Sequence, residues 1–227
     1  MTDADSILIL SACTATKATK GGDRYLLAEE LYAGQQHRRL MRGVEAYRAA
    51  GQPGGRLELQ ILSAGHGVVA ADQPLGSYDA TFTGMRRPQL RRRAARLGVP
   101  KAVSSLLAQR RRLAVLLLGE SYLNAAQLTA ISELGAPTLV FTSPRGGARL
   151  ADLHRLHPIT LDNRDARRLS CGLVALKGEL GARLLLRLAH RPKARVPVER
   201  AELLSWLEDA SALRAIRRLQ HDLARVA

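Results

Sequence analysis

The chain has 227 residues, 46% hydrophobic and 4% aromatic, with 35 Lys and Arg against 20 Asp and Glu, for a net charge of +15. That length and apolar content can bury a core unaided by disulfides or metals, and they exclude a disordered chain. No apolar run approaches the roughly 20 residues of a bilayer span, and the acidic start at Asp3 and Asp5 is unlike a secretory signal, so a cytoplasmic setting is expected.

In chain order, Ile7–Leu10 is a short apolar run that predicts a strand and ends in Ser11-Ala-Cys-Thr14. Leu26–Tyr32 and Gln36–Ala50 read as helices, the second stopping at a Gly/Pro cluster. Leu57–Ser63 predicts a second strand, followed by Ala64-Gly-His-Gly67 and an irregular stretch from Ala71 to Gly84. Pro88–Leu97 and Lys101–Arg111 have helical spacing. Leu113–Leu118 is the most apolar run and closes with Gly119; a helix over Leu123–Leu134 stops at Gly135-Ala-Pro137. Thr138–Thr142 is the fourth strand and leads into Ser143-Pro-Arg-Gly-Gly147. Apolar runs alternating with amphipathic helices predict an α/β fold, a three-layer αβα sandwich around a mainly parallel four-stranded sheet. After Pro158 only helices are expected, at Leu173–Ala189 and Val198–Val226. The predicted organisation is an α/β domain over 1–158 and a helical extension over 159–227, packed on or beside it.

Five of the basic residues are Lys and the other 30 are Arg. Arg86, Arg87, Arg91, Arg92, Arg93 and Arg96 fall within eleven residues, and Arg110, Arg111 and Arg112 follow. A solvated face or a GC-rich genome accounts for some of this, but the excess of base over acid points to a polyanion, and Arg forks suit phosphate. The expected partner is nucleic acid, DNA ahead of RNA. No segment pairs a basic face with Trp or Phe, so a membrane partner is not expected.

In an open parallel sheet, ligands bind beyond the carboxyl ends of the strands. Cys13, at the end of the first strand with Lys17 nearby, is a candidate nucleophile if a helix N-terminus follows, or else a small packing residue. Lys17 is a candidate for phosphate or carboxylate. His66, between two glycines, is a candidate for ligand contact or proton transfer. Asp79 reads either as a general base or as a loop fastener, and Tyr78 either stacks on a base or anchors its loop. Ser63, Gly67, Thr83 and Ser143 bring hydroxyls and backbone N–H groups to the same loops, and Arg145 adds a cation. Metal binding lacks support: Cys13 and Cys171 are not at zinc spacing, and His154 and His157 have no third ligand. No cofactor is indicated.

Cys13-x-x-x-Lys17, Leu31-Tyr32, Ile61-Leu-Ser-Ala-Gly-His-Gly67 and Tyr78-Asp-x-x-x-Thr-Gly84 together resemble a set of small bacterial and phage proteins described as peroxide-stress-like. The same motifs are similar to the central domain of archaeosine synthase, an enzyme of tRNA base modification. Thr14 stands where that pattern has Ser, and Ala70 where it has Pro. The resemblance covers about the first 150 residues and implies a scaffold like that of uracil-DNA glycosylases, with Thr142-Ser-Pro-Arg-Gly146 similar to their Ser-Pro loop. It leads to an expectation of a nucleic-acid-associated enzyme acting on a nucleobase, glycosylase-like or base-modifying. A non-catalytic DNA- or RNA-binding protein of stress or repair pathways and a nucleoside or nucleotide enzyme stay open beside it.

Overall fold

The computed structural model describes residues 5–19, 25–150 and 154–208. Strand β1 (Ile7–Ala12) is buried along its whole length. Its side chains alternate between two cores, Leu8, Leu10 and Ala12 facing one and Ile7 and Ile9 the other. A continuous apolar run is what a strand covered on both faces requires. Strand β2 (Tyr25–Leu27) and a single turn, α1 (Ala28–Leu31), replace the helix expected over Leu26–Tyr32, and α2 (Gln35–Ala49) follows.

Strand β3 (Leu57–Ser63) turns at 64–66 into β4 (Gly67–Ala70), and β5 (Pro74–Gly76) pairs back with β2. Helices α3 (Arg87–Arg96) and α4 (Val99–Ala108) lead to β6 (Leu113–Leu117), α5 (Glu120–Ala126), β7 (Thr138–Thr142) and the short α6 (Pro144–Gly147). The described chain ends with β8 (Leu156–Thr160), α7 (Asn163–Arg168), α8 (Leu173–His190) and α9 (Arg200–Glu208). The expected continuation of the last helix to Val226 lies outside the described residues.

The sheet has six strands in the order β4-β3-β1-β6-β7-β8. Every neighbouring pair is parallel except β3 with β4. All four expected strands are present, and β4 and β8 extend the sheet at its two edges. β8 contains Pro158, which an edge strand tolerates because one side of it needs no backbone donor. The boundary expected at 158 therefore falls inside a strand.

Helices cover both faces. Leu90, Ala94, Val99, Val103, Leu107 and Leu123, from α3, α4 and α5, pack on the Leu8 and Leu10 side. Leu40 and Val44 of α2 and Leu180, Leu184 and Leu188 of α8 pack on the Ile7 and Ile9 side. Gly43 allows α2 and α8 to touch: a Cβ there would lie 2.4 Å from the Cα of Ala182. Helix α8, which falls in the expected helical extension, thus forms part of a layer of the sandwich. Truncating a core leucine of either layer to Ala would cost about 2–5 kcal/mol. No helix among the described residues is long and apolar enough to cross a membrane.

Candidate functional site

Parallel pairing puts the carboxyl ends of β1, β3, β6, β7 and β8 along one edge of the sheet. The chain reverses its direction of winding between β1 and β6, the kind of place where open parallel sheets commonly bind ligands.

At the β1/β3 end lies a cluster of a thiol and three tyrosines. Cys13, 8% exposed, has its Sγ 3.1 Å from the Tyr122 hydroxyl, and the Ala64 backbone N–H points at the sulfur from 3.5 Å. Ser63 donates to the Tyr78 hydroxyl at 2.7 Å, and the Tyr78 and Tyr32 hydroxyls are 3.1 Å apart. The Lys17 ammonium sits 4.3 Å from the Tyr78 ring centroid, and His66 packs on the same ring edge-to-face. Gly65 lies so close to Tyr78 that a Cβ there would come within 2.5 Å of the ring. Burial holds Tyr32 up at about 12. Burial first, and then the negative charge available to Cys13, pushes Tyr78 and Tyr122 above the usual tyrosine value. These hydroxyls therefore stay protonated at neutral pH and act as a hydrogen-bonded brace.

The structure brings Cys13, Lys17, Ser63, His66 and Tyr78 together in this cluster. No helix starts behind Cys13: the chain runs on as a loop that bridges Lys17 to Tyr32. Tyr78 is held at its hydroxyl by Ser63 and Tyr32 and at its ring by Lys17 and His66. Ser63 accepts from the backbone N–H of Gly65 and of His66, tightening the β3–β4 turn. Gly67 has φ +81°, and a Cβ there would meet the Leu97 carbonyl at 2.7 Å, so this position serves the close approach of α3 to the turn. Asp79 and Thr83 are exposed on the following loop, on either side of the buried Phe82, which packs edge-to-face on Tyr122. No hydrogen bond or ion pair joins Asp79 to another described residue.

At the β6/β7 end the groups are more open. Ser143 caps α6 by accepting from the Gly146 N–H, and its hydroxyl donates to Glu120 Oε1 at 2.6 Å. Glu120 opens α5, where a carboxylate is favoured by the helix dipole. It borders a cleft of about 320 Å³ between α3, α5 and α6, together with Arg87, Arg91, Asn124, Gln127 and Arg149. Arg87 and Arg91 are one helical turn apart and so share a face of α3. Arg86, Arg92, Arg93 and Arg96 line a separate, shallow hollow on the other side of α3, where the Arg93 guanidinium also holds the Ala64 carbonyl at 2.8 Å. Arg145 is exposed on α6.

Two arginines of the Arg110–Arg112 run face inward. Arg111 is buried against Glu58, and Arg112 ties the Gly54 and Ala194 carbonyls at 2.6 and 2.7 Å. Glu120, Asn124, Gln127 and Arg149 were not singled out by sequence reasoning. Glu120 directly follows Gly119, which closes the most apolar run, but only its neighbours in space give it significance. Among the described residues no group of three or more His, Cys, Asp or Glu could hold a metal ion. Comparison with family models, curated proteins and solved structures found no match to this chain.

Proposed function

We propose that this protein binds nucleic acid, DNA ahead of RNA, and acts on a nucleobase held in the cleft between α3, α5 and α6, on a scaffold of the uracil-DNA glycosylase kind. The observation that carries this reading is the position of Glu120. Among the described residues it is the one carboxylate lining a cleft whose walls also carry three exposed guanidinium groups, Arg87, Arg91 and Arg149. Those cations would neutralise backbone phosphates on either side of the cleft mouth, while Arg86, Arg92, Arg93 and Arg96 extend the contact along the strand.

A base cannot be attacked inside a stacked duplex, so it enters extruded or from a single strand. The Asn124 and Gln127 amides each offer donor and acceptor groups to a base edge. Ser143 occupies one oxygen of Glu120, leaving the other to orient a water. In N-glycosidic hydrolysis the water oxygen bonds to the sugar carbon and Glu120 takes a water proton. The pair of the broken C–N bond goes to the base, whose charge the Asn124 and Gln127 amide N–H groups stabilise. The thiol–tyrosine cluster braces the loop carrying Asp79 and Thr83, which runs directly into Arg86 and would lie beside the bound strand.

Titrating labelled single- and double-stranded DNA across a range of salt tests this. Affinity is expected to fall with a slope of about −0.9 per phosphate neutralised, and Arg87→Ala, Arg91→Ala and Arg149→Ala together should reduce the slope by about 3. No binding at low salt, or binding indifferent to salt, would overturn the reading.

A further inference from the structure

Glu120 also borders a second cleft, of about 300 Å³, at the carboxyl ends of β7 and β8, whose walls include Gln36, Ser143, Leu161 and Lys177. Its rim is apolar: Leu173 and Val174, in the first turn of α8, are 49% and 75% exposed. Lys177 lies one turn further along α8, on the same side of the helix as both. Its side chain is drawn inward and donates to the Leu118 carbonyl at the end of β6. Burial lowers its pKa to about 8, with the Glu120 charge pulling the other way. Such an amine is neutral at pH 7 on the order of 100-fold more often than an exposed lysine.

Among the described residues lining this cleft the amine is joined by a carboxylate, by the polar Gln36 and Ser143 and by an apolar rim, with no second cation beside it. We infer that Lys177 is a nucleophilic amine that forms a Schiff base with the aldehyde of an open-chain sugar held in this cleft. The Gln36 amide nitrogen donates to the Leu117 carbonyl, which leaves its oxygen, with the remaining lone pair of the Ser143 hydroxyl, to accept from the sugar hydroxyls. The Nζ lone pair bonds to the aldehyde carbon as the C=O π pair moves to oxygen, which takes up a proton. Glu120 accepts a proton from the nitrogen and returns one to the hydroxyl, which leaves as water while the nitrogen pair closes the C=N bond. The cleft and its amine stand by themselves; only the source of the sugar, the deoxyribose left when a base is removed, rests on the proposed nucleobase activity.

The test is reductive trapping of the full-length protein with borohydride, in one arm with 2-deoxyribose 5-phosphate and in the other with an oligonucleotide carrying an abasic site. Hydride adds to the imine carbon and leaves a secondary amine that peptide mass spectrometry locates. Adduct at Lys177 is expected at least about tenfold above each of the other four lysines, and is absent in Lys177→Arg. Trapping with both aldehydes supports the link to nucleic acid; trapping with the free sugar alone keeps the Schiff base and removes that link. No adduct in either arm of the wild-type protein, or adducts spread evenly over the lysines, would overturn the inference.

Discussion

The two ends of the sheet's carboxyl edge are built from similar loops and differ in what their polar groups touch. At the β1/β3 end the Ser63, Tyr32, Tyr78 and Tyr122 hydroxyls and the Cys13 thiol are bonded to one another, and Lys17 and His66 pack on the Tyr78 ring. At the β6/β7 end Glu120 and Ser143 form a pair that opens on two clefts, with Arg87, Arg91 and Arg149 on one side and Lys177 on the other. Hydrogen bonds closed among themselves stabilise a fold; groups aligned along an open cleft are available to a ligand. The first end should thus be sensitive in stability and the second in activity.

The largest expected effect comes from Glu120→Gln, which keeps an oxygen for Ser143 but loses the charge. Base release from an oligonucleotide, followed by chromatography under single-turnover conditions, should fall by roughly 10²–10⁴-fold with little change in unfolding midpoint. Undiminished release would break the comparison at its β6/β7 end. Next is Arg111→Ala, which strands Glu58 away from its partner and should cost about 3–5 kcal/mol in urea unfolding. The salt slope of DNA binding should not move, since this arginine faces inward.

Alkaline unfolding sharpens the other end. The folded-state pKa of Tyr32 is raised from 10.0 to about 12. The unfolded chain therefore releases this proton first, and the stabilisation present below pH 10 is lost as the pH rises through 12. The loss is on the order of 2 kcal/mol and should be steepest where tyrosinate absorbance appears. A tyrosine titration that shows no delay relative to the unfolded chain would contradict the brace. The smallest effect is expected from Gly65→Ala, whose new methyl must displace the Tyr78 ring and should cost roughly 1–2 kcal/mol while leaving DNA affinity within about twofold. A loss of affinity instead would place the tyrosine loop in the binding surface.

The strands at the centre of the sheet were legible because a strand buried on both faces must be apolar at every position, as Leu113–Leu117 is. Helices α3 and α8 were legible from their spacing and stop signals. β4 was hidden in what read as a glycine loop, and β8 by Pro158, because each is admitted only by its place at a sheet edge. Tyr32 and Tyr78 stood in separate motifs, but their meeting with Tyr122 and Cys13 and their inward hydrogen bonding were not legible. Arg111 and Arg112 read like their neighbours in composition, and only packing separates a buried guanidinium from a solvated one.

By itself, then, the order of apolar runs and helical periods determined an α/β sandwich with its connecting loops at the carboxyl edge, because period and hydrophobicity are local properties of the chain. Which of those edge residues are bonded inward and which border a cleft was decided by tertiary structure alone. Ser143 reaches Glu120 across 23 residues and Lys177 reaches Leu118 across 59. The role of a carboxylate or an amine depends on its neighbours in space, and those contacts exist only once the strands are paired.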